Sequence, residues 1–298
     1  MDLIRTRSEL ERLAALRAGG PVVLVPTMGA LHEGHLSLVR RAGELGQVVV
    51  SIFVNPTQFV PGEDFARYPR DLDMDLAALA DYATAAVFAP SVEEMYRAPD
   101  GVTVRPGPRA GVLCGAQRPG HFQGVLTVVA KLFNLVGPDI AVFGRKDAQQ
   151  CLVIDEMVHD LDFPVALVDA PTRREEDGLA MSSRNRYLSA PERRRATCLW
   201  HGLEAVRGLI ADGERDTGAL EEQLALHLAD TDTVDYAEIR ALPDLSHHER
   251  LDGKVILAVA ARVGPARLID NLVLDVGAAG VVESSLLQPR ASVRKERS

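Results

Sequence analysis

The sequence predicts an α/β protein: a parallel sheet wound with helices on both faces, followed by a smaller α+β unit. Three observations carry this. Val22-Val23-Leu24-Val25 and Val48-Val49-Val50-Ser51-Ile52-Phe53-Val54 are nearly unbroken apolar runs separated by one amphipathic stretch, Leu36 to Ala42. That is the pattern of strands buried on both faces and joined by a crossover helix. Glycine-containing turns that open helices stand at the carboxyl ends of such runs, at Gly29 to Gly34 and at Gly144, where open α/β folds receive ligands. From Pro191 the composition becomes helical, and three strand-like runs then follow at 234–242, 254–263 and 266–276.

A chain of 298 residues can build one large or two modest domains, each with its own core. Its 47% hydrophobic and 25% charged residues are those of an ordinary soluble globular protein, and with aromatics at 5% the core must be mostly Val, Leu, Ile and Ala. A net charge of −9 gives no general attraction to nucleic acid or to anionic membranes. Cys114, Cys151 and Cys198 are odd in number and widely spaced. They read as free thiols in a reducing compartment, not as a disulfide frame or zinc site. The first residues lack an apolar signal region, and no run approaches the ~18 apolar residues of a membrane span. The expectation is a cytoplasmic protein.

In order, residues 8–18 predict a helix capped by Ser8, with Leu10, Leu13 and Leu16 as its apolar stripe and Gly19-Gly20 as its stop. The strand from Val22 should end at Pro26, which has no N–H to donate. The second strand ends in Asn55-Pro56-Thr57-Gln58. A helix from about Asp71 to Tyr82 carries Asp71, Asp73 and Asp75 in its first turns. These suit the positive end of the helix dipole, and a sharper reading gives Asp75 to a magnesium ion. Strands follow at 85–90, 140–143 and 165–168, with helices at 125–136 and from Gly144 to about His159. Two further helices are expected at 192–212 and 217–229, with Arg193-Arg194-Arg195 on a solvated face. The boundaries that result are 1–184 for the first domain, 185–287 for the second, and a polar, disordered tail at 288–298.

The chemistry concentrates after strand ends. His32 and His35 lie three apart around Gly34, a spacing that can aim two imidazoles at one volume. Lys146 offers a compact positive charge, Asp147 can accept from ribose hydroxyls, and Gln150 lies one helical turn beyond Lys146. Gln58 carries donors and an acceptor without charge, suited to a hydroxyl and a carboxylate together. Ser182, Ser183 and Arg184 combine hydroxyls with a guanidinium, a combination that fits a polyphosphate.

The string Pro26-Thr27-Met28-Gly29-Ala30-Leu31-His32-Glu33-Gly34-His35 resembles the pantothenate synthetase (pantoate–β-alanine ligase) family of the His-x-Gly-His nucleotidyltransferases. Arg118-Pro119-Gly120-His121-Phe122-Gln123-Gly124-Val125, Gly144-Arg145-Lys146-Asp147-Ala148-Gln149-Gln150 and Met181-Ser182-Ser183-Arg184-Asn185 extend the resemblance across residues 22 to about 280. The resemblance implies a Rossmann-like catalytic domain with a smaller carboxyl-terminal α+β cap, and a homodimer. It implies ATP, pantoate and β-alanine as substrates, magnesium, and the products pantothenate, AMP and pyrophosphate by way of a pantoyl adenylate. It implies catalytic roles for His32, His35 and Lys146. ATP contacts are implied for Met28, Gly29, Ala30, Leu31, His32, Glu33, Gly34, His35, Gly144, Arg145, Lys146, Asp147, Arg173, Met181, Ser182, Ser183 and Arg184, and pantoate contacts for Gln58 and Gln150. The chain departs from the family at Arg173, where an aliphatic residue is usual. The base for the second step stays open among the adenylate phosphate, water and His35. Two other readings compete: a transferase that adenylylates a phosphate ester, and a nucleotide-sensing module without activity.

Overall fold

The computed structural model describes residues 1–98, 101–277 and 280–287. The disordered tail expected at 288–298 lies outside them. Six parallel strands form the first sheet: β1 Asp2–Ile4, β2 Val22–Thr27, β3 Gln47–Ile52, β4 Thr84–Phe88, β5 Ile140–Gly144 and β6 Ala166–Ala170. Their order is β1-β4-β3-β2-β5-β6, a Rossmann-like arrangement in which β2 lies beside both β3 and β5. The chain winds outward from β2 through β3 to β4, then returns to β5, so the topological switch point falls between β2 and β5.

The apolar runs are buried as the composition requires. Val22 and Leu24 join one hydrophobic cluster, and Val23 and Val25 join another. Alternate residues of a strand face opposite ways, so β2 packs against helices on both sides. On one face lie α1 Glu33–Gly43 and α2 Leu72–Leu79. Two short helices follow, α3 Val92–Met95 and α4 Leu113–Gln117. The longer α5 His121–Val136 and α6 Ala148–Asp160 then cover the other face.

Four antiparallel strands, β7 Thr233–Ala241, β8 Gly253–Val263, β9 Ala266–Gly277 and β10 Gly280–Glu283, form the second sheet in the order β10-β9-β8-β7. Leu257, Val259, Leu272 and Leu274 on one face pack with Leu199, Leu203, Leu220 and Leu224. Those leucines come from α8 Cys198–Ala211 and α9 Thr217–His227, which follow the short α7 Ala190–Ala196. Ile256, Ala258, Ala260 and Val273 on the other face join the cluster that also holds α5 and α6.

Four local expectations are corrected. Ser8–Gly19 is a 3-10 segment, not an α-helix, and its cap position is Arg7, with no side-chain cap. Leu10, Leu13 and Leu16 repeat every three residues, which is the 3-10 period, and only Leu13 becomes fully buried. Pro26 does not end its strand. It pairs with Ser51 on the β3 side, while the ladder to β5 stops at Leu24. The helix expected at 192–212 is two helices, and the first starts at a Ser189–Glu192 capping box. The edge strands β1 and β10 were not expected: each is too short to show a period.

Candidate active site

The site is built on the switch point. His32 is the N-cap of α1, and its Nδ1 accepts from the Gly34 N–H at 3.1 Å. That fixes the tautomer: the proton must be on Nε2. A Cβ on Gly34 would lie 2.8 Å from Cε1 and 2.9 Å from Nδ1 of His32, so only glycine leaves the ring in place. The rings of His32 and His35 lie 4.1 Å apart. His35 Nδ1 is buried without a partner, which leaves Nε2 as the nitrogen that can serve a ligand. Burial first and the nearby Lys146 charge second hold the His32 pKa down to about 4. Burial, then His32 and Lys146, holds that of His35 down to about 3. Both are neutral hydrogen-bonding groups at physiological pH.

Across the switch point, β5 ends in Gly144 and the 3-10 turn Arg145–Asp147. Asn271 on β9 donates from Nδ2 to the carbonyls of Arg145 and Lys146, at 3.1 and 2.8 Å, and so fixes this turn. Burial lowers the Lys146 pKa. On the third side, Met181 N–H donates to the Arg173 carbonyl at 3.0 Å, and Ser182 Oγ accepts from Arg184 N–H at 3.3 Å. The Arg184 guanidinium is held by both oxygens of Asp64, at 3.0 and 2.8 Å.

These segments line one cavity with Met28, Asn55, Gln58, Gln150, Arg173 and Ser183. Val125, Val128, Val129 and Leu132 of α5, with Phe53, form an apolar wall in the same cavity. Asp147 is its one carboxylate among the described residues. A second cavity shares Lys146, Gln150, Ser182 and Arg184 with the first and is bounded by the antiparallel sheet at Ile256, Ala258, Asp270 and Asn271.

The comparisons identify the family. Residues 2–273 match the family model for pantoate-beta-alanine ligase. The chain belongs to the pantoate–β-alanine ligase family. It is 51% identical to the pantothenate synthetase of Carboxydothermus hydrogenoformans over 264 residues, covering 87% of this chain and 93% of that one. It is 50% identical over 281 residues to that of Moorella thermoacetica, covering 93% and 99%. The crystal structure of the Thermus thermophilus pantothenate synthetase superposes with a TM-score of 0.86 at 47% identity, over 91% of this chain and 99% of that one. A Francisella tularensis pantoate-beta-alanine ligase, crystallised with Beta-gamma ATP and Beta-alanine, matches with a TM-score of 0.77 at 31% identity, over 92% and 97%.

The structure brings together most of the residues singled out in the sequence: Met28, His32, Gly34, His35, Gln58, Gly144, Lys146, Asp147, Gln150, Arg173, Met181, Ser182, Ser183 and Arg184. Others are placed elsewhere. The Arg145 side chain turns away from the cavity to Asp169, at 2.7 Å, and Glu283, at 3.4 Å. Glu33 pairs with Arg40 at 3.0 Å, and Leu31 packs on the core beneath the turn. Gly29 and Ala30 form the turn itself, with φ of 78° and 52°. Asp75 is not placed as a magnesium ligand. It is 4% exposed, and its two oxygens accept from the N–H groups of Ala30, at 3.0 Å, and Leu31, at 2.7 Å.

Asn55, at the end of the second strand, lines the cavity beside Gln58, and the residues that the sequence did not point to include Tyr68 and the α5 wall. The wall had a visible signal, because Val125, Val128, Val129 and Leu132 follow helical spacing. That spacing does not separate a wall facing a ligand from one facing the core.

Proposed function

We propose that this chain, an ATP-dependent acid–amine ligase by family, condenses (R)-pantoate with β-alanine to give pantothenate, AMP and pyrophosphate through a pantoyl adenylate. The observation that carries this reading is one cavity lined by two unlike sets of groups. One set is the His32–His35 pair, Lys146 and the Ser182–Arg184 loop, and the other is the neutral amides Gln58 and Gln150 with an apolar wall. Pantoate has hydroxyls and a carboxylate for the amides and a dimethyl carbon for the wall. A phosphate-ester acceptor would call for free cations beside the amides instead, and Arg118, which lies there, is taken by both oxygens of Glu63.

In the first step a pantoate carboxylate oxygen attacks the α-phosphorus, and the bond to pyrophosphate breaks. No general base is needed, because a carboxyl group with a pKa near ~4 is ionised at neutral pH. The protein's work is positioning and stabilisation of charge on the departing pyrophosphate. We assign Nε2–H donation to His32 and His35, and fixed positive charge to Lys146 and Arg184. Arg184 must be drawn from Asp64 toward phosphate or shared between them. In the second step the β-alanine amine attacks the acyl carbon, AMP leaves, and the amine loses a proton.

The residues present suit a magnesium ion that arrives on the nucleotide. Asp147 is the only carboxylate available in this cavity among the described residues, and magnesium in nucleotide sites takes few protein ligands. When bound, it offsets charge on the phosphates. The homodimer and the cytoplasmic setting belong to the same proposal; the three free cysteines suit a reducing compartment. Sedimentation at micromolar concentration tests the dimer.

The decisive experiment is isotope exchange. With ATP, pantoate, magnesium and labelled pyrophosphate, label should enter ATP without β-alanine, and AMP should accumulate only when β-alanine is added. Exchange that requires β-alanine would replace the two-step route with a concerted one. Exchange that ignores pantoate would remove the assignment.

A further inference from the structure

We infer that His121 is a positioning residue: with Arg118 it fixes the main chain of Gln58 and so aims the Gln58 amide into the pantoate end of the cavity. This rests on the reading of Gln58 given above. The Gln58 carbonyl lies 2.7 Å from His121 Nδ1 and accepts from Arg118 Nη2 at 3.2 Å. Arg118 Nη1 stands 2.9 Å from His121 Nε2. A guanidinium has only donors, so Nε2 must be the acceptor and Nδ1 must carry the hydrogen it donates to Gln58. Both ring nitrogens are thereby used within the protein, and the residue is 6% exposed. His121 lines the cavity but has no free donor or acceptor for a substrate.

The surroundings make the clamp rigid. Glu63 accepts from Arg118 Nε at 2.5 Å and Nη2 at 2.7 Å, and from Val60 N–H at 3.1 Å, closing the segment that follows Gln58. His121 opens α5, and the first turn of the same helix holds the other side of the Gln58 turn. Asn55 Nδ2 donates to the Gly124 carbonyl at 3.2 Å and to Gln58 Oε1 at 3.1 Å. A Cβ on Gly124 would run into the Thr57 carbonyl, so helix and turn touch through backbone. Burial first, then the Arg118 charge, lowers the His121 pKa to about 4, which keeps the ring neutral and Nε2 an acceptor.

The test is the steady-state kinetics of His121→Ala, His121→Phe, His121→Asn and Gln58→Ala, with thermal melts of each. The Phe variant fills the buried volume without a donor, and the Asn amide can place a donor where Nδ1 stood. The Ala and Phe variants should raise the KM for pantoate roughly ten- to a hundred-fold, the scale of one lost buried hydrogen bond and a displaced contact, with the KM for ATP within about threefold. The Asn variant should recover most of that loss. An Asn variant as impaired as Phe, or equal changes in the KM for ATP and pantoate, would overturn the inference. If Gln58→Ala leaves the KM for pantoate unmoved, the reading of the pantoate end fails instead. If Gln58→Ala moves it and His121→Phe does not, only the clamp fails.

Discussion

Replacing Asp75 with Asn separates a latch from a metal ligand. Asp75 reaches from α2 to the turn after β2, where one oxygen takes the Ala30 N–H and the other the Leu31 N–H. Ala30 has a φ of 52°, a conformation an alanine holds only when its surroundings insist on it. His32 follows two residues later. Asn keeps one acceptor oxygen but turns an NH2 group toward the second N–H, which is left unpaired in a buried place. Losing one charge-assisted bond costs about 1.5–3 kcal/mol, and weakening the other brings the expected total to roughly 2–4 kcal/mol. A turn that relaxes by ~1 Å would also lower kcat by about a hundredfold, through misplaced His32 and His35. Urea unfolding measures the first effect and pantoate-dependent exchange the second, with magnesium titrated in both proteins. The exposed Asp73→Asn on the same helix should stay within about 0.5 kcal/mol of the parent. If Asp75→Asn keeps full stability and merely needs more magnesium, the latch is wrong and Asp75 belongs to the metal.

Two further outcomes follow from the histidines. His35→Ala should lower kcat roughly 10²–10³-fold with little change in ATP affinity, because its Nε2 serves the transition state more than the ground state; near-normal kcat would exclude that role. The pKa values of His32, His35 and His121 fall from an ordinary 6.5 to about 4, 3 and 4, so the unfolded chain binds more protons than the folded one between those values. Their contribution is complete above pH ~6.5 and drains as the pH falls toward 4, at up to about 1.4 kcal/mol per pH unit for each ring. Urea midpoints that stay level from pH 7 to 5 would contradict the buried, neutral placement.

Much of this architecture is legible in the residues. Val22 to Val25 announces a strand buried on both faces because no polar residue interrupts it, and the glycine turns mark where ligands sit because they follow strand ends. The illegible side-chain roles share one physical cause: they depend on partners distant in sequence. Asp75 looks like a helix-dipole residue until Ala30 and Leu31 are brought to it. Arg145 looks like a phosphate ligand beside Lys146 until Asp169 and Glu283 capture it. Gln149 and Gln150 are indistinguishable as letters. In the fold Gln149 is consumed by the Cys114 N–H and the carbonyls of Arg109 and Val112, and only Gln150 faces the cavity. Pro26 misled through a sound rule, because a missing N–H ends only the ladder it would have joined.

The antiparallel sheet explains how three separate segments come to face one volume. Two adjacent residues of β9 do the holding. Asn271 secures the Lys146 turn through its two carbonyl contacts. Asp270, 3% exposed, takes both Nη atoms of Arg174 at 2.6 and 3.0 Å. Arg174 opens the hairpin that leads to Ser182–Arg184 and lies over the Trp200 ring at 3.6 Å. A side chain on Gly178 in that hairpin would strike the same indole, so the hairpin sits flat on α8. The second sheet therefore contributes position more than charge. It fixes the base of the serine loop and the lysine turn relative to each other, while the Arg184 guanidinium beyond that base pairs with Asp64. An anchored base with an arginine side chain in an exchangeable ion pair is what a loop needs if polyphosphate is to take over the arginine without disturbing the lysine opposite.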